Sequence, residues 1–266
     1  DNVLKFINNL NISENDTVVV SCSYGPDSMY MLYIMHTYYK CKVVCAHVNH
    51  KMRKASEQEF IDLKSYCDKN NIIFEGTEIL NYDTCDNFHE YARNFRYEYF
   101  ESIVKKYHAK YLFTAHHGDD LMETILMHIL RGGSIYGYSG FDFFVDKGDY
   151  KIVRPLIYLS KDEIEKYDEE LNIPYAIDES NLEDHYTRNR FRHHVLPFLK
   201  SEEKDAHLKF LNFASNLKER TKFLDNYVYS IIDKIYVDKV LDLNKFENLD
   251  IRWADGTDHS FKKSRI

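Results

Sequence analysis

Residues 18–28 read Val18-Val19-Val20-Ser21-Cys22-Ser23-Tyr24-Gly25-Pro26-Asp27-Ser28, an apolar β-branched run that gives way to small and polar residues. The stretch that follows, MYMLYIMHTYY over residues 29–39, has the character of a helix. The order strand, tight loop, helix gathers backbone N–H groups and hydroxyls at the positive end of a helix, where a phosphate is the natural occupant. The loop differs from the common P-loop, because no G-x-x-x-x-G-K-[ST] pattern is present.

The same alternation continues through the first two thirds of the chain. CKVVCAHVNH (41–50), NIIFEGTEI (71–79) and KYLFTAHH (110–117) read as strands. Between and after them, residues 56–71, HEYARNFRYEYFESIVKKYH (89–108) and GDDLMETILMHILRGG (118–133) read as helices, the last stopping at a glycine pair. This order predicts an α/β fold, a Rossmann-like parallel sheet with right-handed crossovers, whose ligands sit beyond the carboxyl ends of the strands. The Ser23 loop, the His47-Asn49-His50 turn and the His116-His117 turn all fall at that edge. Residues 140–150 read as a loop or hairpin, and 151–171 as a strand followed by a helix with a Ser160/Glu163 capping box. A polar loop then leads into a basic helix that is expected to stop before Pro197. From about Ser201 the pattern is helical and charged, and residues 252–266 are expected to fray. The predicted organisation is a catalytic domain over 1–200 and a small helical region over 201–266.

Composition narrows the class. The chain has 266 residues, 44% of them hydrophobic, enough for a globular core. No run of 18 apolar residues predicts a membrane span, and the polar N-terminal stretch does not resemble a signal peptide. The first residue is Asp rather than Met, so the start is expected to be trimmed or incomplete. Cys22, Cys41, Cys45, Cys67 and Cys85 are scattered without C-x-x-C spacing, which predicts reduced thiols, a cytoplasmic setting and neither a zinc ribbon nor a cysteine-ligated cluster. The net charge of −8 means that any RNA contact must use local basic patches against an unfavourable field.

Several groups could carry chemistry. If a helix starts near Gly118, Asp120 and Glu123 share a face next to the phosphate loop. They could hold Mg²⁺ or a substrate ammonium; the structural alternative is an N-cap and a solvated glutamate. Asp27 is either a helix cap or a metal-assisted neutraliser of a pyrophosphate, and the two roles are compatible. Glu90, Arg93 and Arg96 lie three apart on one helix, as an anion clamp or an ion-pair ladder. Lys51, Arg53 and Lys54 form one basic cluster. Arg188, Arg190, Arg192, His193 and His194 form another, interleaved with Tyr186 and Phe191 as in RNA contacts, or else a solvated charged face.

Ser23-Tyr24-Gly25-Pro26-Asp27-Ser28 resembles the SGGxDS loop of PP-loop pyrophosphatases, which cleave ATP between its α and β phosphates. Six segments in order, SYGPDSM, AHVNHKMR, ARNFRYEYF, TAHHGDDLMETILMHILRGG, RPLIYLSKDEI and IDESNLEDHYTRNRFRHHVLPFL, resemble the tRNA(Ile)-lysidine synthetase family over roughly residues 15–200. The resemblance implies adenylation by ATP of O2 of the first anticodon cytidine in a tRNA-Ile with a CAU anticodon. The amine of L-lysine then attacks C2, and AMP leaves. It implies ATP and Mg²⁺ at Ser23, Tyr24, Gly25, Pro26, Asp27 and Ser28, with His47 beside the nucleotide and Asp27 as the metal ligand. It places His116, Asp120 and Glu123 at the lysine and reaction site, with Arg93 or Arg96 stabilising the intermediate. Lys51, Arg53, Arg188, Asn189 and Arg192 would face the tRNA, and a homodimer is allowed.

Three departures stand out. Tyr24 replaces the first glycine of the loop motif, and a positive φ there would cost roughly 1–3 kcal/mol. Gly118 stands where many members carry an apolar residue, and the helical tail ends soon after Asn248, so the C-terminal region is expected to be truncated. The alternative readings are an impaired nucleotide- or tRNA-binding remnant of the family, or another PP-loop tRNA-modifying enzyme. Thiolation is disfavoured, because it often uses the C-x-x-C pairs missing here.

Overall fold

The computed structural model describes residues 2–51, 55–79, 88–177, 183–237 and 240–241. In chain order its elements begin with α1 (Asn2–Asn8), β1 (Thr17–Ser21), α2 (Pro26–Tyr38), β2 (Lys42–Asn49), α3 (Ala55–Lys69) and β3 (Ile73–Glu78). They continue with α4 (Phe88–Tyr107), β4 (Tyr111–Phe113), α5 (Gly118–Leu130), α6 (Ile135–Tyr138), and strands β5 (Phe144–Asp146) and β6 (Lys151–Val153). A 3₁₀ turn at Pro155–Tyr158 precedes α7 (Lys161–Leu171). Then come α8 (Thr187–Arg190), a π turn (Phe191–Val195), α9 (Leu196–Glu202), α10 (Ala206–Ile235), β7 (Tyr236–Val237) and β8 (Val240–Leu241).

Six strands form one sheet in the order β3-β2-β1-β4-β6-β5, parallel except for the antiparallel edge pair β5–β6. The expected parallel α/β fold is therefore present, and residues 140–150 do carry a hairpin. Alternation along the strands divides the core into two layers. Val18, Val20, Val43, Cys45 and Phe113 face one side, with Met31, Met35, Leu63 and Ile164 from the helices. Val19, Val44, Ala46, Leu112 and Ile152 face the other, against Phe100, Ile103 and Val104 of α4. Burial on both faces is why these strands read as continuous apolar runs.

The connections set the site. From β1 the chain moves outward through β2 to β3, then returns to place β4 on the other side of β1. The crevice at such a reversal lies between the loops leaving β1 and β4. Those loops are the Ser23 segment and residues 114–117.

Local signals account for most boundaries. Pro26 opens α2, where its missing N–H costs nothing. The capping box is formed: Glu163 N donates to Ser160 Oγ at 3.3 Å, and Ser160 N donates to Glu163 Oε2 at 2.8 Å. Asn172 closes α7 in the left-handed conformation. One expectation needs correction. Pro197 does not end the basic helix in a break: the backbone stays helical through the π turn into α9, and Pro197 sits in the first turn of α9, where no N–H is required.

Two compact units are present, Asp1–Ala214 and Ser215–Ile266. The first holds the sheet and every candidate site residue. In the second, the described parts are the continuation of α10 and the antiparallel pair β7–β8. Residues 252–266 lie outside the described residues. Among the described residues no helix is long and apolar enough to cross a membrane.

Candidate active site at the strand ends

The loop after β1 is tied by one hydroxyl. Ser28 Oγ donates to Gly25 O at 2.9 Å, accepts from Ser23 N at 3.0 Å and lies 3.2 Å from Ser23 Oγ. Tyr24 adopts φ +69°, the left-handed conformation the motif's glycine would supply, whereas Gly25 is extended at φ −79°. The tyrosine is accommodated rather than excluded. Its ring is buried in the core, and its carbonyl accepts from Ala176 N at 2.9 Å. Burial contributes about 1.5–3 kcal/mol, which offsets a left-handed penalty of about 1–2 kcal/mol. Tyr24→Gly is accordingly expected to lower stability by about 1–2 kcal/mol, the lost ring outweighing the relieved strain. Chemical denaturation measures this, and a stabilised variant would contradict it.

His47 secures the loop from below. Its Nδ1 lies 2.7 Å from the Cys22 carbonyl, which can only accept, so Nδ1 carries the proton. The ring is buried beside Phe60 and Phe74, and burial lowers its pKa. Its contact is thus with the loop backbone.

Asp27, in the first turn of α2, faces the crevice. Its Oδ1 lies 2.7 Å from Lys161 Nζ and 3.8 Å from His117 Nε2. The same His117 nitrogen is 3.5 Å from Asp120 Oδ2, so one buried imidazole lies between the phosphate loop and the carboxylate at the start of α5. Gly118 has no room for a side chain, since a Cβ would meet the His207 ring at 2.9 Å and Leu159 O at 2.9 Å. That close approach is why glycine stands at this position.

Behind Asp27, Asp168 is fully buried and neither carboxylate oxygen has a hydrogen-bond partner among the described residues. Burial first, then the negative charge of Asp27, pushes its carboxyl up to about 8 against Lys161. The unfolded chain releases this proton near 3.8, the folded protein only near 8, so stability falls with rising pH across that window. Asp168→Leu is expected to remove the penalty and stabilise by roughly 3–5 kcal/mol at pH 8, less at pH 5. Thermal melts at the two pH values test this; equal or lower stability at pH 8 would contradict it.

The second half of the site is built on α5. Glu123 is fully buried, with Oε2 2.7 Å from Arg188 Nε and Oε1 2.7 Å from Arg192 Nε. Arg192 Nη2 also reaches Asp120 Oδ1 at the longer distance of 3.4 Å. Asp120 accepts from His117 N at 3.1 Å. Burial works to raise the Asp120 carboxyl, but His117, His116, Arg188 and Arg192 outweigh it and hold it well below the usual carboxylate range. Both arginines therefore point at carboxylates, and buried Asn189 donates to Glu183 O at 2.7 Å. A further pair, Lys200 Nζ to buried Asp119 Oδ2 at 2.5 Å, joins α9 to α5.

His116 lies with Nδ1 3.0 Å from Thr114 Oγ1 and its ring against Phe141. Burial lowers its pKa to about 4, so the imidazole is neutral at pH 7. His50 is likewise lowered to about 4, first by burial and then by Arg96. Arg96 acts on both histidines, whereas Arg93 sits over the Tyr97 ring at 6.0 Å. Lys51, at φ +51°, pairs with Glu78 at 2.7 Å. Arg53 and Lys54 lie outside the described residues.

The structure thus gathers Ser23, Asp27, His116, Asp120, Glu123, Arg188 and Arg192 around the crevice. Reading the sequence alone missed three partners. His117 was legible only as half of a histidine pair, Lys161 was concealed inside a helix-capping segment, and nothing in the pattern marked Asp168. No group of three or more His, Cys, Asp or Glu side chains is arranged to hold a metal among the described residues. Asp27 alone still suits Mg²⁺, which takes one or two carboxylates and completes its shell with water and phosphate oxygens.

A strand–loop–helix phosphate site at the reversal of a parallel sheet is the arrangement of PP-loop proteins, and the PP-loop domain family matches residues 1–199. The chain belongs to that family. It is 37% identical over 241 residues to the tRNA(Ile)-lysidine synthase of Bacillus subtilis, an alignment covering 88% of this chain and 51% of that protein. It is 34% identical over 232 residues to the enzyme of the same name from Geobacillus kaustophilus, covering 84% of this chain and 50% of that one. The chain thus spans about half the length of these curated relatives. Among solved structures, the U34-tRNA thiolase NcsA from Methanococcus maripaludis, with its [4Fe-4S] cluster, shares the fold. Its TM-score is 0.65 at 16% identity, over 77% of this chain and 72% of that one.

Proposed function

We propose that this protein ligates lysine to the first anticodon cytidine of a tRNA-Ile with a CAU anticodon, consuming ATP and forming AMP and pyrophosphate. The reading rests on the relatives named above. The observation that carries it is the placement of buried His117, whose Nε2 lies 3.8 Å from Asp27 at the phosphate loop and 3.5 Å from Asp120 at the carboxylate–arginine cluster. Activation and ligation then share one crevice. We assign the catalytic part to residues 1–200 and treat 201–266 as a helical appendage.

The loop hydroxyls and N–H groups receive the phosphates, and Asp27 would hold Mg²⁺, which offsets pyrophosphate charge when bound. In the first step cytidine O2 bonds to the α-phosphorus and pyrophosphate departs with its bridging oxygen. Arg96, Arg188 and Arg192 supply positive charge for the phosphoryl group. Lysine then attacks C2, and the C2–O bond to AMP breaks.

The two carboxylates divide the remaining work. Glu123 is committed to both arginines at 2.7 Å, while Asp120 meets Arg192 only at 3.4 Å. Asp120 therefore takes the lysine ammonium, and Glu123 sets the arginines. Neutral His116 accepts the proton that the amine must lose before attack. The tRNA approaches over Lys51, Arg53, Arg188 and Arg192, and Asn189 fixes the turn that presents them.

Incubation with ATP and tRNA transcripts tests the reading through pyrophosphate release. Release with the CAU transcript and not with a transcript carrying another first anticodon base supports it. Release indifferent to that base would overturn it.

A further inference from the structure

We propose that Lys161 is a ligand of the nucleotide's β and γ phosphates, held at the phosphate loop by Asp27. This rests on the functional reading above and adds a residue from an element that the loop motif does not include.

Three observations converge on Lys161. Its ammonium lies 2.7 Å from Asp27 Oδ1, in the first turn of the helix that opens on the loop. The backbone under it is fixed: Ser160 is the N-cap of α7, and Gly118 N donates to Leu159 O at 2.8 Å. The start of α7 is therefore locked to the start of α5, and α2, α5 and α7 open close to one another. Finally, the side chain is neither buried nor free, at 25% exposure. The ammonium rests on Asp27, and a quarter of the side chain remains exposed.

The charges near the loop explain why a cation is needed. Asp27 and Asp120 flank the crevice on this side, and Arg188 and Arg192 are engaged by Glu123. A triphosphate entering here meets acidic groups close to its β and γ phosphates. An ammonium has three hydrogens, so Lys161 can keep its bond to Asp27 and still donate to a phosphate oxygen. Glu165, 3.7 Å from Nζ, adds a second weak anchor on the same helix. Lysine serves such a position better than arginine, since a compact point charge fits between a carboxylate and a phosphate without the planar spread of a guanidinium.

The competing role for Lys161 is purely to neutralise Asp27. The two roles predict opposite results. Calorimetric titration of ATP and AMP, with and without Mg²⁺, into the parent chain, Lys161→Ala and Lys161→Arg separates them. We expect Lys161→Ala to weaken ATP about 10- to 100-fold while AMP affinity changes less than about 2-fold, because AMP lacks the contacted phosphates. The loss should persist in EDTA, and Lys161→Arg should recover part of it. Unchanged or tighter ATP binding by Lys161→Ala, or equal weakening of ATP and AMP, would overturn the assignment while leaving the functional reading intact. Failure of the parent chain to bind ATP at all would overturn both.

Discussion

Glu123→Ala is expected to lower kcat/KM for tRNA-dependent pyrophosphate release about 10³-fold and to destabilise the fold by about 2–4 kcal/mol. Glu123 is fully buried, and its two oxygens anchor two arginines at 2.7 Å. Removing it strands two cations. Because Arg188 and Arg192 are 46% and 33% exposed, they can partly rehydrate, which keeps the cost below that of a fully buried broken pair. The catalytic loss follows from geometry: both guanidinium groups lose the group that aims them. The step affected is diagnostic. If Glu123 positions arginines, the first step fails even before lysine is added. Should the variant release pyrophosphate normally and show only a raised KM for lysine, Glu123 would be a direct lysine ligand and the division of labour with Asp120 would be wrong.

Asp27→Ala carries the other large effect. ATP turnover is expected to fall at least about 10³-fold, while the melting temperature changes little. Asp27 is partly exposed and its pair with Lys161 contributes modestly to stability. Its functional position is different, since it is the carboxylate of the loop itself and the nearest one to the expected polyphosphate. Steady-state AMP formation and a thermal melt on the same preparation check both halves. Turnover like that of the parent would remove Asp27 from the phosphate site, and a collapsed melt would show it to be structural.

The parallel sheet and the edge that carries the site were legible because their signals are local. Val18–Val20 before the Ser23 loop, the short strand before His116 and the Ser160/Glu163 box each sit within a few residues of one another. Tyr24 illustrates what was half legible. The sequence raised the question of positive φ, and the backbone at +69° answers it, but only the packed ring explains why the residue is tolerated. Pairs that span the chain were not legible. Asp27 and Lys161 are 134 positions apart, and Glu123 and Arg192 are 69 apart. The basic helix shows its charge in the sequence but not the partner that charge meets: Arg188 and Arg192 both reach Glu123, 65 and 69 positions away. The π turn at Phe191–Val195 and the helix that continues through Pro197 are likewise announced by no propensity in the sequence.

The central claim is that activation and lysine transfer occur in one crevice on one nucleotide. Its most direct test is to incubate the protein with ATP, isotopically labelled lysine and the CAU-anticodon transcript, then digest the RNA and identify the labelled nucleoside by mass spectrometry. The account predicts label on the first anticodon cytidine alone, with one AMP formed per lysine attached. AMP released without label entering the RNA, or label at any other nucleotide, would contradict it.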